Sequence, residues 1–268
     1  TASAVMAWTT GALVPTMLIS VGVLCLVGLL QSARVLWQHP WILAHGIRFR
    51  RADAHRLILS SGWLFALQLA AVIAFQTDLL IVATLLGSDQ AAVFHGTLRA
   101  FAIVSLVTTA LASQFWPATA EAMAVDHHHW VRSTHRRLAW QLPALAGAAG
   151  LFLVLFGRHL IGLWLGKSLV PPLSLLVAFA LWTTYSSFVL PYAQVLNGAG
   201  ILRPIAILSA LMAIANLLIS FALTNAIGIA GPPLGSLVAH GVFLLGPMLF
   251  FVRRAWATPH RHNVNEAR

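Results

Sequence analysis

Charge is what this sequence has least of. Only 8% of its 268 residues are Asp, Glu, Lys or Arg, and six of them are acidic. Mean hydropathy is +0.85, far above that of water-soluble proteins. A soluble globular domain is therefore excluded, and with it a soluble nucleic-acid-binding role, despite a formal net charge of +10. A single cysteine, Cys25, makes an intramolecular disulfide impossible. No internal repeat is visible, and no low-complexity stretch beyond His127-His128-His129. The first residue is Thr1, with neither a basic segment nor a small-residue cleavage site ahead of the first apolar run. We expect that an N-terminal part precedes this sequence.

What the chain does have is apolar length. Hydrophobic residues make up 59% of it, in recurring runs of about 20 residues, the length that spans a bilayer as an α-helix. The sequence reads as an all-α integral membrane protein with about seven transmembrane helices. Hydropathy, Pro and Gly bound them near 11–34, 60–87, 91–117, 138–158, 170–195, 204–225 and 231–252. Pro117 is expected to close the third span and Pro204 to open the sixth, while Pro191 and Pro247 should bend their helices.

The charges sort by side. Loops 35–56 and 118–137, Arg34, Arg203 and the tail with Arg253, Arg254, Arg261 and Arg268 hold 13 of the 16 basic residues; the opposite side holds Arg158 and Lys167. The positive-inside rule puts the basic side, and the C-terminus, in the cytoplasm, and explains the charge without a polyanion. Trp37, Trp41, Trp130, Trp140 and Trp256 fall near that boundary and Trp164 near the other, as an interfacial belt requires.

Two charges break the apolar pattern. In FQTDLLIVATLLGSDQAAVFHGTLRAF (75–101), Asp78 and Arg99 stand about ten residues either side of the turn Gly87-Ser88-Asp89-Gln90. That is about 15 Å along each helix, near mid-membrane, where a charge costs about 3 kcal/mol or more. Equal depth on antiparallel neighbours allows a clamp between the two residues, or a hydrated cavity in which Arg99 presents charge to an anion. His95, Arg99, Thr109 and Ser113 share one stripe of their helix. His95 as a proton-coupled residue competes with a plain packing role.

Other candidates are Trp182 and Tyr185, which with Tyr192 share a face that could stack on sugar rings or simply pack. Ser209, Asn216 and Ser220 form a stripe of the kind that joins membrane helices. Glu121 falls at the cytoplasmic mouth. Three adjacent histidines cannot all reach one ion from a helix, so no metal is expected at His127–His129.

The stretch TDLLIVATLLGSDQAAVFHGTLRAF resembles the seventh-to-eighth helix hairpin of the Wzx-type polysaccharide (O-antigen) flippases, within the multidrug/oligosaccharidyl-lipid/polysaccharide exporter superfamily. Phe94 stands where that family has Tyr, which removes a hydroxyl role there. FWPATAEA, LFGRHLIGLWLG, VLNGAGILRP and NLLISFALTNAIGIAGPPLGSLVA resemble later parts of the family in the same order, over residues 57–252. The resemblance implies a two-lobed transporter. Residues 1–34 would end the N-terminal lobe, 35–59 form a basic cytoplasmic linker, 60–252 the C-terminal six-helix lobe, and 253–268 a basic cytoplasmic tail.

It further implies a bacterial inner-membrane exporter that carries a polyprenyl-diphosphate-linked oligosaccharide to the outer leaflet by alternating access. The partners would then be the lipid bilayer, the lipid-linked oligosaccharide, the missing N-terminal lobe and other polysaccharide-assembly proteins. In that frame Arg99 binds the diphosphate and Asp78 holds Arg99 in place. No cofactor is expected; coupling to H+ or Na+ is compatible with the sequence, and no residue identifies the ion.

Three alternatives stand beside this reading. A multidrug cation exporter of the same superfamily should favour acids in its cavity, unlike a single Asp beside an Arg. An enzyme, a membrane glycosyltransferase or polymerase, should carry external acids, and the external loops offer only Asp89. A truncated half-transporter would be inert alone.

Overall fold

The computed structural model describes residues 13–40 and 51–257, and among these there is no β-strand. Two compact units divide the chain, residues 1–57 and 58–268. The first contains α1 (Leu13–Gln38), whose described side chains are all exposed. The second begins within α2 (Arg51–Leu86). It continues through α3 (Ser88–Ser113), the short α4 (Phe115–Ala124), α5 (His128–Leu165), α6 (Leu173–Gly198) and α7 (Arg203–Ile227). The last helical stretch is α8 (Gly231–His240), a π-turn (Gly241–Leu245) and α9 (Gly246–Ala257). Trp41, Arg48, Arg50, Arg261 and Arg268 lie outside the described residues.

Five helical stretches among the described residues are long and apolar enough to cross a membrane, which is compatible with a multi-pass membrane protein. The last, Arg203–Trp256, folds back on itself at Gly228–Ala230. Leu, Val, Ile and Phe side chains on the outside are heavily exposed, among them Leu106, Leu155 and Leu218 at about two-thirds of their area. Water does not tolerate such a surface over a whole molecule; lipid does.

Glycines let the helices meet. Gly228 turns the chain at φ 72°, which an L side chain rarely adopts. The returning helix then lays Gly231 and Gly235, spaced as in GxxxG, against the backbone of Thr224 and Ser220. Gly150 lies on Ala180 and Gly157 on Leu176, so α5 and α6 run antiparallel. α3 runs parallel to α6, with Phe101 stacked on Phe179 at 5.6 Å and Ser187 Oγ donating to Thr108 Oγ1 at 3.3 Å. The alternation gathers Arg132, Arg136, Arg137, Arg203, Arg253 and Arg254 at one end of the second unit. The turns at Gly87, Gly166–Pro172 and Gly228 lie at the other.

Two expectations need correction. Pro117 does not close a span: α3 ends at Ser113, and Pro117 sits in the first turn of α4, where no intrahelical partner is missed. Helices α2 and α5 also begin some ten residues before their apolar runs, at Arg51 and His128. Hydropathy measures the depth of lipid, whereas backbone hydrogen bonding continues past it.

Candidate functional site: a split cavity beside a sealed carboxylate

Asp78 does not face Arg99. Its carboxyl is 6% exposed and turns into the junction of α2, α7 and α8. There Ser236 Oγ donates to Asp78 Oδ2 at 3.2 Å, with the Ser220 and Asn216 side chains beside it. Ser220 Oγ in turn donates to Asn216 Oδ1 at 3.2 Å and to the Pro232 carbonyl at 3.4 Å. Ser236, Asn216 and Ser220 are all 2% exposed or less. Polar groups cut off from water must satisfy one another, and here they do so across three helices. The expectation that Asp78 holds Arg99 is therefore corrected. Equal depth was right, but the two side chains leave their helices in different directions.

Arg99 is exposed, eleven residues into α3 and about 16 Å from its start. Its Nε donates to His95 Nε2 at 3.3 Å, one turn back, and it makes no ion pair among the described residues. His95 is half-buried; Thr109 and Ser113 continue the same stripe and are exposed. Ser113 Oγ donates to the Ala110 carbonyl at 2.9 Å, so its hydrogen is spent within the helix.

Next to this stripe a cavity of about 420 Å³ opens between α3 and α6. Ser105, Thr108 and Thr109 line it from α3, and Trp182, Thr183 and Ser186 from α6. A second cavity, about 280 Å³, lies on the other side of Trp182, bounded by Leu67 of α2, Ser209 of α7 and His240 of α8. Trp182, Ser186 and Leu190 line both, so one aromatic side chain divides a single trough. Trp182 is held edge-to-face by His240, ring centroids 4.9 Å apart. The π-turn begins at the next residue, Gly241, a local geometry that often accompanies function.

Of the sequence-selected residues, the trough brings together Thr109 and Trp182, with Arg99 and His95 on the same helix beside it. Tyr185 is elsewhere: it touches Trp182 at 6.1 Å between centroids but lines an apolar groove on the outer face of α5 and α6. Glu121 is exposed on α4, at the basic end. Among the described residues no cluster of His, Cys, Asp and Glu could hold a metal.

Sequence reasoning missed Ser105, Ser186 and His240. The signal was there for two of them. Ser186 follows Trp182 by four residues and therefore shares its face, and Ser105 precedes Thr109 by four. His240 was hidden because its partner comes from another helix.

No protein-family model, curated protein or solved structure matches this chain.

Proposed function

We propose that the chain contributes one lobe of a membrane transporter that carries an anionic, sugar-bearing lipid across the bilayer, a polyprenyl-diphosphate-linked oligosaccharide being the substrate that the flippase resemblance implies. The observation that carries this reading is the contrast between two mid-depth charges. The carboxylate is sealed among serines and an asparagine, while the guanidinium is exposed beside a hydroxyl-lined trough. A site that offers a cation and withholds its acid suits an anion and disfavours a cationic drug.

A diphosphate-sugar head cannot cross hydrocarbon bare, because its charges and hydroxyls would lose their hydration. Arg99 replaces part of that hydration for the phosphates. Ser105, Thr109 and Ser186 offer hydroxyls to the sugar, and Trp182 an aromatic face. The prenyl tail stays in lipid. With the cytoplasm negative, outward movement of two negative charges is favoured by about 4–5 kcal/mol per 100 mV. A second helical lobe would close the trough from the open side and alternate its access between the two leaflets.

The test is transport of a fluorescent polyprenyl-diphosphate oligosaccharide by cells or vesicles carrying the complete transporter. Arg99→Ala should abolish transport without reducing membrane insertion, and Arg99→Lys should retain part of it. A fully active Arg99→Ala variant sinks the reading.

A further inference from the structure

The outer face of α5 carries an arrangement that transport through the trough does not use. Ser133, Arg136, Trp140, Pro143, Gly147 and Leu151 follow one another by three or four residues, so they form one stripe along the helix. Its first part is a cleft of about 750 Å³ lined by Arg132, Ser133, Arg136, Arg137 and Gln141, with Trp140 at its inner edge. Its second part is a groove of about 670 Å³ between α5 and α6, walled by Leu151, Val177, Leu181 and Tyr185 and floored at Gly147. Trp140 lines both and is 75% exposed.

Depth explains the change of character. α5 is 38 residues long, about 57 Å, and so overshoots a hydrocarbon core of about 30 Å. Trp140 and Trp164, both exposed, are 24 residues apart on it, about 36 Å, and they bracket the core as interfacial tryptophans do. The arginines then stand just outside the core, at the level of lipid head groups, and the groove runs inward at the level of lipid chains.

None of the three arginines has an acidic partner among the described residues. The Arg132 guanidinium lies 5.6 Å over the Trp256 ring, which fixes one of the cations in position.

From this juxtaposition we infer that α5 and α6 form a binding site for an anionic phospholipid of the leaflet at the basic end. Its phosphate would sit on Arg132, Arg136 and Arg137 and one of its chains would lie in the groove below Trp140. Three unpaired cations meeting a phosphate supply the charge complementarity, and an apolar groove continuous with them supplies the chain site. The inference is independent of what the trough transports.

The test is native mass spectrometry of the detergent-purified chain titrated separately with phosphatidylglycerol and phosphatidylcholine of equal chain length, and with inorganic phosphate. Phosphatidylglycerol should bind at least tenfold more tightly than phosphatidylcholine. Arg136→Ala/Arg137→Ala should remove most of that preference and leave phosphatidylcholine binding unchanged. Gly147→Leu should weaken the long-chain lipid several-fold with the head-group cations intact; a Cβ at Gly147 meets Thr184 only at ordinary contact distance, so this variant should fold. Equal affinities for the two lipids, an undiminished preference in the double variant, or displacement of the lipid by millimolar inorganic phosphate alone would each overturn the inference.

Discussion

Ser236 gives its hydroxyl hydrogen to Asp78 across 3.2 Å, joining helices that are 158 residues apart in the chain. The bond makes the mid-membrane carboxylate a fastening between α2 and the α7–α8 hairpin, and leaves Arg99 free of it. In membrane proteins such contacts couple by about 0.6 kcal/mol on average and up to about 1.7. A double-mutant cycle on Asp78→Ala and Ser236→Ala, read from unfolding in detergent, should return a coupling in that range. The same cycle on Asp78→Ala and Arg99→Ala should return about zero; a coupling above about 1 kcal/mol would reinstate the clamp.

Gly235 is the tightest point of the hairpin that fastening serves. A Cβ there would lie 2.5 Å from Ser220 Oγ and 2.8 Å from Ser220 Cα, part of it immovable backbone. Gly235→Ala should therefore destabilise by about 1–3 kcal/mol through overpacking. Gly246→Ala, where a Cβ meets nothing within 4 Å, should be neutral or gain up to about 1 kcal/mol. Melting temperatures in one detergent compare the two directly, and equal shifts would contradict the close helix approach.

Water in the trough can be measured with cysteines. In a Cys25→Ser background, Thr109→Cys and Ser186→Cys should react with a membrane-impermeant maleimide added to permeabilised vesicles. Thr97→Cys and Ser220→Cys, at positions with 0% exposure, should not. Labelling that follows exposure to lipid, so that Leu106→Cys reacts as fast as Thr109→Cys, would mean the trough is dry.

The sidedness follows from the arginines. Reporters inserted at 125–127 and at 200–202 should be cytoplasmic, and those at 87–88 and 168–169 external. The opposite result, or reporters at 87–88 and 125–127 on one side, would reverse or break the topology.

Much of the fold could be read from composition and punctuation. The turns at Gly87, Gly166 and Gly228 stood out because Gly and Pro interrupt apolar runs, and Pro204 marked the start of α7. Helix ends beyond the lipid, as at Arg51 and His128, were illegible to hydropathy because those turns are helical yet polar. Site depth was legible and azimuth was not. Periodicity within α3 orders Arg99 against Thr109, but only the identity of α2's neighbours decides that Asp78 meets Ser236. The same holds for His240 and Trp182, whose contact no spacing in either helix announces.

The π-turn at Gly241–Leu245 gives the end of the chain its own reading frame. A π-turn holds one residue more than the α-helical turn it replaces, and Pro247 just beyond it has no N–H with which to restore the regular ladder. Loss of any one residue there would rewind the turn to ordinary pitch and advance every later side chain by one position. Arg253 would then take the place of Val252, which is 1% exposed in the apolar core, and a guanidinium would replace a methyl pair. A one-codon deletion at this point should be far more damaging than any single substitution in the same five residues.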